Sequence, residues 1–227
     1  MSRITQLFSD IPSLLISIII ALIALSVHEA AHGYAAYKLG DPTARAFGRL
    51  SLNPIRHLDL LGTLCMIFFG FGWAKPVPVN TRFFKKPRRD MAICALAGPF
   101  SNVLMSFGAL LLYRITSVLV ISNYALFDTT FKSNLIMLVL DFFLRFSVMN
   151  LYLGVFNLIP VPPLDGSRIL FVVLPDKYYF GIMKYEQYIR IALFVLLYVG
   201  LLDGPLTSAF SLVFDGFNAL ISLIPGL

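Results

Sequence analysis

Charged residues are scarce in this chain. Asp, Glu, Lys and Arg make up 13% of its 227 residues, whereas hydrophobic residues make up 58%. Soluble globular domains usually carry about a quarter of their residues as charges, so this composition excludes that class. The sequence instead predicts an integral membrane protein, without a separate soluble domain, a low-complexity tract or an internal repeat.

Cysteine is also rare. The two cysteines, Cys65 and Cys94, both lie in apolar surroundings. Disulfide frameworks and cysteine-based metal sites need several cysteines at characteristic spacings. The pattern therefore favours two small buried residues over either structure.

Apolar runs, by contrast, are abundant, and about 20 residues of apolar helix cross a hydrocarbon core of ~30 Å. The first run could be a signal peptide, but no small-residue cleavage site follows it. The run 60–71 is short and interrupted by glycine, which predicts a re-entrant or interfacial segment. We predict an all-α polytopic membrane protein of one domain, 1–227, with about four to six membrane segments, a core at 11–170 and C-terminal membrane segments at 187–224. The runs are 11–27, 60–71, 91–113, 135–159, 189–202 and 206–224.

Basic residues are unevenly distributed along the chain, which has a net charge of +6. Ten of them lie between Lys38 and Arg89, and four more follow the fourth run. The connection between the third and fourth runs has only the flanking Arg114 and Lys132. By the positive-inside rule, the first two regions are cytoplasmic and the third is external. The basic cluster at 82–90 is expected to contact anionic lipid, not nucleic acid.

The segment LSVHEAAHGYAA places ionisable side chains in the first membrane segment. Residues four apart share a helix face, so His28 and His32 can offer two imidazoles to one metal ion. Glu29 points about 100° away and can reach a water at the metal. At ~1.5 Å per residue from Ile11, His28 lies about 25 Å below the outer surface, near the cytoplasmic boundary. The alternative is a satisfied polar patch between helices, but burying three such groups is costly.

A catalytic zinc usually takes three protein ligands and leaves a fourth position open. Asp165, in NLIPVPPLDGSRIL, ends a descending segment and is expected at the depth of the two histidines. His57 competes on chemistry alone, although we favour an interfacial histidine before the re-entrant segment. Asp141 lies in the external half of its run. The full set of candidates is His57, Asp41, Asp59, Asp141 and Asp165.

Three motifs on separate membrane segments resemble those of the site-2 protease family of intramembrane zinc metalloproteases, in its short form without a PDZ domain. They are HEAAH at 28–32, GPFSN at 98–102 and NLIPVPPLDG at 157–166. Together they span most of the chain, and the ordered set is far more specific than any one of the three.

The resemblance implies one zinc ion per chain, held by three ligands: His28, His32 and Asp165. Glu29 would be the catalytic acid and base. Asn102 and Asn157 would be polar helpers near the site that could steady an oxyanion, with hydrogen bonding between helices as the equally weighted alternative.

The segment GWAKPVPVN suggests how a substrate could be presented. In an extended strand, backbone groups alternate between the two edges, so Pro76 and Pro78 remove donors from one edge. Lys75, Val77 and Val79 keep their N–H groups on the other edge. We predict a short extended edge strand near the active site that receives a substrate strand by β-augmentation. The alternative is a surface loop whose prolines prevent pairing.

Together these features predict a zinc-dependent endopeptidase of the prokaryotic cell membrane that cleaves membrane-spanning substrates near the cytoplasmic face. The expected partners are a single-span membrane protein or peptide as substrate, and membrane lipid. Nucleic acid is not expected. The alternatives are a membrane metal transporter, which would need ligands along a path through the bilayer, and a non-catalytic binding protein of the same fold.

Overall fold

The structure, a computed structural model, describes residues 11–59, 62, 65, 75–123 and 129–227. The regular elements within these ranges are helices, as the sequence predicts. Two are short 3-10 helices, at Pro54–Arg56 and Thr81–Phe83. The α-helices are α1 (Ile11–Lys38), α2 (Thr43–Ala46), α3 (Pro87–Ser122), α4 (Thr130–Asn157), α5 (Asp165–Val173), α6 (Asp176–Met183), α7 (Glu186–Val199) and α8 (Asp203–Ser222).

Three of these helices, α1, α3 and α4, are long and apolar enough to cross a membrane. With 28, 36 and 28 residues, they exceed the ~20 residues that a bilayer core requires. A fourth span exists if α7 and α8, which meet at a bend of 82°, form one broken span. The integral membrane prediction is thereby confirmed for the described residues.

The described residues contain three candidate spans, or four with the broken α7–α8 pair, which matches only the lower end of the predicted four to six membrane segments. Helix α7 has 14 residues, or ~21 Å of rise, which is shorter than a ~30 Å core. Gly200 ends it in the left-handed conformation, with φ 79°, and the chain turns there. The predicted re-entrant segment at 60–71 lies outside the described residues, apart from 62 and 65.

Helix α3 is central, since it packs against α1, α4 and α5. Small buried residues line its contacts, among them Ala92, Ala95 and Gly98. In α4, a Cβ on Gly154 would lie 3.1 Å from the carbonyl oxygen of Pro99. Such small residues let membrane helices approach closely, and here they bring the GPFSN segment of α3 against both α1 and α4.

A tight turn between α4 and α5 sets the position of Asp165, the first residue of α5. A Cβ on Gly166 would lie 2.3 Å from the carbonyl oxygen of Leu158 and 2.5 Å from that of Ile159. No side chain fits there, so glycine allows the first turn of α5 to pack against the end of α4.

The segment 75–80 has no regular secondary structure, and side chains from the loops around α2 hold it in place. Asp41 is fully buried and accepts a hydrogen bond from the N–H of Asn80 at 2.7 Å. The Arg49 guanidinium donates to the carbonyl oxygens of Lys75 and Pro76, at 2.6 and 3.2 Å. These contacts fasten the segment beside α1.

Candidate metal centre

Two histidines of α1 and the first residue of α5 converge at one point. His28 and His32, four residues apart on one face of α1, place their Nε2 atoms 3.0 Å apart. Asp165 Oδ2 lies 3.1 Å from each of these nitrogens. Within the described part of the chain, this trio is the group of His, Cys, Asp or Glu side chains that could share a metal ion.

Hydrogen bonds on the far side of each ring orient the two imidazoles. His32 Nδ1 donates to the backbone carbonyl oxygen of Cys94, at 2.7 Å. His28 Nδ1 donates to Oδ1 of Asn102, at 2.5 Å. Because each Nδ1 carries the proton, each neutral ring presents the lone pair of Nε2 to the centre of the cluster.

The cluster fits a zinc ion. Two imidazole nitrogens and a carboxylate are typical zinc ligands, and a tetrahedral ion with ~2.0 Å bonds holds its ligand atoms ~3.3 Å apart. Three lone-pair atoms that face one another at 3.0–3.1 Å repel one another unless a cation lies between them.

Gly98 of α3 leaves room for this cluster. A Cβ there would lie 2.3 Å from His32 Nε2 and 2.7 Å from His28 Cε1. Any side chain would therefore fill the space that the two imidazoles occupy. The glycine of GPFSN allows α3 to approach the ligands, and Asn102 follows one turn later.

Glu29, the predicted acid and base, lies beside the cluster without joining it. Its Oε2 accepts a hydrogen bond from the backbone N–H of Val77, at 2.8 Å. The carboxylate is thus held by the segment that the sequence assigns to substrate binding.

The predicted donor edge of Lys75, Val77 and Val79 is largely engaged within the protein. The Lys75 N–H donates to the carbonyl oxygen of His57, at 2.8 Å, and the Val77 N–H donates to Glu29. No partner for the Val79 N–H occurs among the described residues. The predicted edge strand is not confirmed, because sequence alternation shows which residues keep a donor but not whether tertiary contacts occupy it.

Asn157, His57 and Asp141 make their hydrogen bonds to groups outside the trio. Asn157 donates to the carbonyl oxygen of Leu153 in its own helix, at 2.9 Å. His57 is 2% exposed and its Nε2 donates to the carbonyl oxygen of Ser51, at 2.6 Å. Asp141 is paired with Arg145, at 2.7 Å. Of the five candidates for third ligand, Asp165 is the one beside the histidines.

One residue near the site is absent from the sequence predictions. Asn150 of α4 is fully buried and accepts a hydrogen bond from Asn102 Nδ2, at 2.9 Å. It belongs to none of the three motifs. A polar amide within an apolar run was the only signal that could have found it.

A bundle of membrane-crossing helices with two imidazoles, a carboxylate and an adjacent glutamate is the arrangement expected of a membrane metalloprotease. The sequence profile of Peptidase family M50 matches residues 16–200, and the chain belongs to this family. The resemblance to site-2 proteases is thereby confirmed.

Named relatives agree with this classification. The chain is 41% identical over 179 residues to "Putative zinc metalloprotease YwhC" of Bacillus subtilis, covering 79% of this chain and 78% of the relative. It is 30% identical over 189 residues to "Putative zinc metalloprotease Rip2" of Mycobacterium tuberculosis, covering 81% of this chain and 66% of the relative. No solved structure matches the chain. The protein is a membrane zinc metalloprotease, and zinc is its metal.

Proposed function

We propose that this protein is an intramembrane endopeptidase that hydrolyses membrane-spanning segments of other proteins near the cytoplasmic face. The observation that carries the proposal is the convergence of His28, His32 and Asp165, two of them on a membrane-crossing helix. Simple helix packing, the alternative for an apolar helix, gives no reason for a cluster of lone-pair atoms at that depth.

The depth and orientation of the site follow from helix length and charge. His28 lies 17 residues after Ile11 in α1, or ~25 Å along the helix axis. That end of the molecule carries the basic cluster at 82–90, whose exposed basic residues are Arg82, Lys85, Lys86, Arg88 and Arg89. The positive-inside rule assigns such an end to the cytoplasm, where the cluster contacts anionic lipid headgroups in preference to nucleic acid.

The chain's own residues supply binding, proton transfer and positioning. His28, His32 and Asp165 would hold the zinc, which when bound would supply the Lewis acidity that activates water and polarises a substrate carbonyl. Glu29 accepts the proton of the attacking water at its carboxylate and delivers it to the leaving amine. The Val77 N–H keeps that carboxylate in place.

Asn102 acts on the ligand His28 and not on the substrate. Its Oδ1 accepts from His28 and its Nδ2 donates to Asn150, so both ends of the amide are engaged. An oxyanion donor needs a free N–H aimed at the reacting carbonyl. The orienting role is therefore favoured over the oxyanion role for this residue.

A helical substrate must unwind locally, because its peptide bonds are enclosed by internal hydrogen bonds. The segment 75–80 lies beside Glu29 and holds an unpaired donor at Val79 among the described residues. A single-span protein or peptide pairs with this edge and presents an extended backbone to the site.

A metal transporter would place further ligand groups along a path through the bilayer. The described residues contain one group of possible metal ligands, the trio of His28, His32 and Asp165. Asp141, in the external half of its run, forms an ion pair with Arg145. A non-catalytic binding protein would have no use for a glutamate held beside the ligands. Both observations favour the protease.

The proposal is tested with purified protein and a panel of single-span membrane peptides in proteoliposomes. Glu29→Gln keeps the shape of the side chain but loses its basicity, so it should retain about one equivalent of zinc and lose hydrolysis by a factor of roughly 10² or more. Loss of zinc in this variant would show that Glu29 is a ligand. If zinc-loaded wild-type protein cleaves none of the peptides, the proposed endopeptidase activity is wrong.

Mass spectrometry of the products tests the depth of the site. Cleavage in the cytoplasmic half of the peptides is expected from the ~25 Å depth of His28. Cleavage in the external half would overturn the orientation and leave the hydrolytic activity intact.

A further inference from the structure

Asn150 lies in the middle of the packing between α3 and α4, both membrane-crossing helices. It is fully buried, as are Asn102, Ser106 and Ser147 around it. An unpaired amide in such a place is costly, so both ends of the Asn150 side chain need partners. Both ends have one.

The partners of Asn150 fix the direction of a chain of hydrogen bonds. Its Nδ2 donates to the backbone carbonyl oxygen of Phe146, at 2.8 Å. A carbonyl oxygen can only accept, so Nδ2 must face it, and Asn150 Oδ1 must face Asn102. Asn102 Nδ2 then donates to that oxygen, at 2.9 Å.

The same direction continues to the metal ligand. With its Nδ2 facing Asn150, Asn102 turns its Oδ1 toward His28 Nδ1, at 2.5 Å. An acceptor at this position requires a proton on Nδ1, which leaves the lone pair on Nε2. A rotated Asn102 amide would instead present N–H groups to Nδ1 and favour the tautomer whose Nε2 cannot bind metal.

The two ligand histidines differ in this respect. His32 Nδ1 faces the backbone carbonyl of Cys94, which cannot exchange its acceptor for a donor. His28 Nδ1 faces the side-chain amide of Asn102. Rotation of this amide by about 180° would replace the accepting oxygen with a donating nitrogen. Besides Asn150, the described residues offer Asn102 Nδ2 only a long contact of 3.4 Å, to the carbonyl oxygen of Ala24. The orientation of the amide therefore depends on Asn150.

We infer that Asn150 is a positioning residue of the zinc site: it fixes the amide of Asn102, which fixes the tautomer of His28. The inference rests on the proposed role of His28 as a zinc ligand. It needs no contact between Asn150 and metal or substrate, and partners of this kind alter metal affinity by roughly 10- to 100-fold.

The test compares Asn150→Leu, which removes the acceptor, with Asn150→Asp, which as a buried, protonated carboxylic acid keeps an oxygen facing Asn102 and an O–H facing the carbonyl oxygen of Phe146. Ser147→Ala is the matched control, because Ser147 is equally buried one turn away and bonds to Ser106, at 3.1 Å. That change disturbs the same helix contact without touching the hydrogen-bond chain.

Nitrogen-15 NMR of the histidine-labelled, zinc-free full chain reads the tautomers directly. The chain has three histidines, so few signals need assignment, and His32 is an internal control. In Asn150→Leu the ring signals of His28 should move toward the other tautomer, while those of His32 stay unchanged. Asn150→Asp and Ser147→Ala should resemble wild type.

Zinc affinity, measured by competition with a chelator, should fall about 10-fold or more in Asn150→Leu and stay within about threefold of wild type in the other two variants. Unchanged His28 signals with wild-type affinity in Asn150→Leu would overturn the inference. Movement of the His28, His32 and His57 signals together would also overturn it, since that indicates general loosening. Neither readout uses hydrolysis, so a wild-type protein that binds zinc but cleaves nothing defeats the proposed function alone.

Discussion

Gly98 shows how strongly single residues constrain the metal centre. The space that its missing side chain would fill is occupied by the imidazoles of His28 and His32, the nearest atom being 2.3 Å from the Cβ position. On the same helix, Gly108 has nothing within 4 Å of its Cβ position. The two glycines therefore differ in purpose, although both lie in α3.

Gly98→Ala should displace the imidazoles and reduce zinc affinity by roughly 10-fold or more, as displaced ligands do. Gly108→Ala meets no neighbour and should keep zinc, with stability raised by up to about 1 kcal/mol. Metal analysis and thermal unfolding measure both quantities. If Gly98→Ala keeps wild-type zinc affinity, α3 can shift away from the ligands to accommodate the added methyl group.

The choice of third ligand is a second prediction for single residues. Asp165→Ala removes an oxygen 3.1 Å from both Nε2 atoms, so zinc content and hydrolysis should fall together. His57→Ala should keep zinc but lower stability by roughly 1 to 3 kcal/mol, because a buried, hydrogen-bonded side chain is lost. The zinc content of the two variants identifies the third ligand. Zinc retained in Asp165→Ala but lost in His57→Ala would make His57 that ligand.

At the scale of elements, the segment 75–80 links the loops around α2 to the Glu29 carboxylate. Asp41 holds the Asn80 end and the carbonyl of His57 holds the Lys75 end. Between these anchors, Val77 contacts Glu29. The segment can therefore position Glu29 and still offer the Val79 donor to a substrate.

These two roles predict different kinetics. Val77→Pro removes the donor to Glu29, a bond to a charged group worth about 1.5 to 3 kcal/mol, so kcat should fall roughly 10- to 100-fold. Val79→Pro removes the unpaired donor and should raise KM instead. Val77→Ala keeps its N–H and should do much less than proline.

Zinc content serves as the folding control for these variants, because the ligands lie on α1 and α5. Wild-type KM in Val79→Pro, with zinc retained, would show that this edge does not bind substrate. Wild-type kcat in Val77→Pro would show that Glu29 needs no support from the segment.

For the whole molecule, the metal site joins distant parts of the chain. His28 and His32 belong to α1, Asp165 begins α5, and α3 packs against both helices. A ligand that binds only the folded state stabilises it by about 2.7 kcal/mol at a free concentration 100 times Kd. Zinc held by these three residues would therefore cross-link helices that lie far apart in the sequence.

Removal of zinc by a chelator should lower the Tm in detergent by roughly 5 to 10 °C, given about 2 to 4 °C per kcal/mol for a chain of this size. Re-addition of zinc should restore it, whereas magnesium should not, because magnesium prefers oxygen ligands. An unchanged Tm after verified loss of zinc would contradict the cross-link.

Local sequence features determined much of this protein. Apolar runs predict the helices that cross the membrane, because hydrocarbon leaves the backbone no other partner than itself. The spacing of His28 and His32 predicts a shared face, since four residues make about one turn. The apolar run at 189–202 predicts a span of its own, whereas the structure joins α7 and α8 in a bent pair, because hydropathy does not show the turn at Gly200.

Only the tertiary structure decided which candidate for the third ligand lies beside His28 and His32. That position depends on how α5 packs against the end of α4. It also decided that the Val77 donor faces Glu29 and that Asn150 faces Asn102. These contacts join residues 48 positions apart in both cases. Periodicity describes neighbours along a helix, whereas contacts between helices depend on packing that no local pattern encodes.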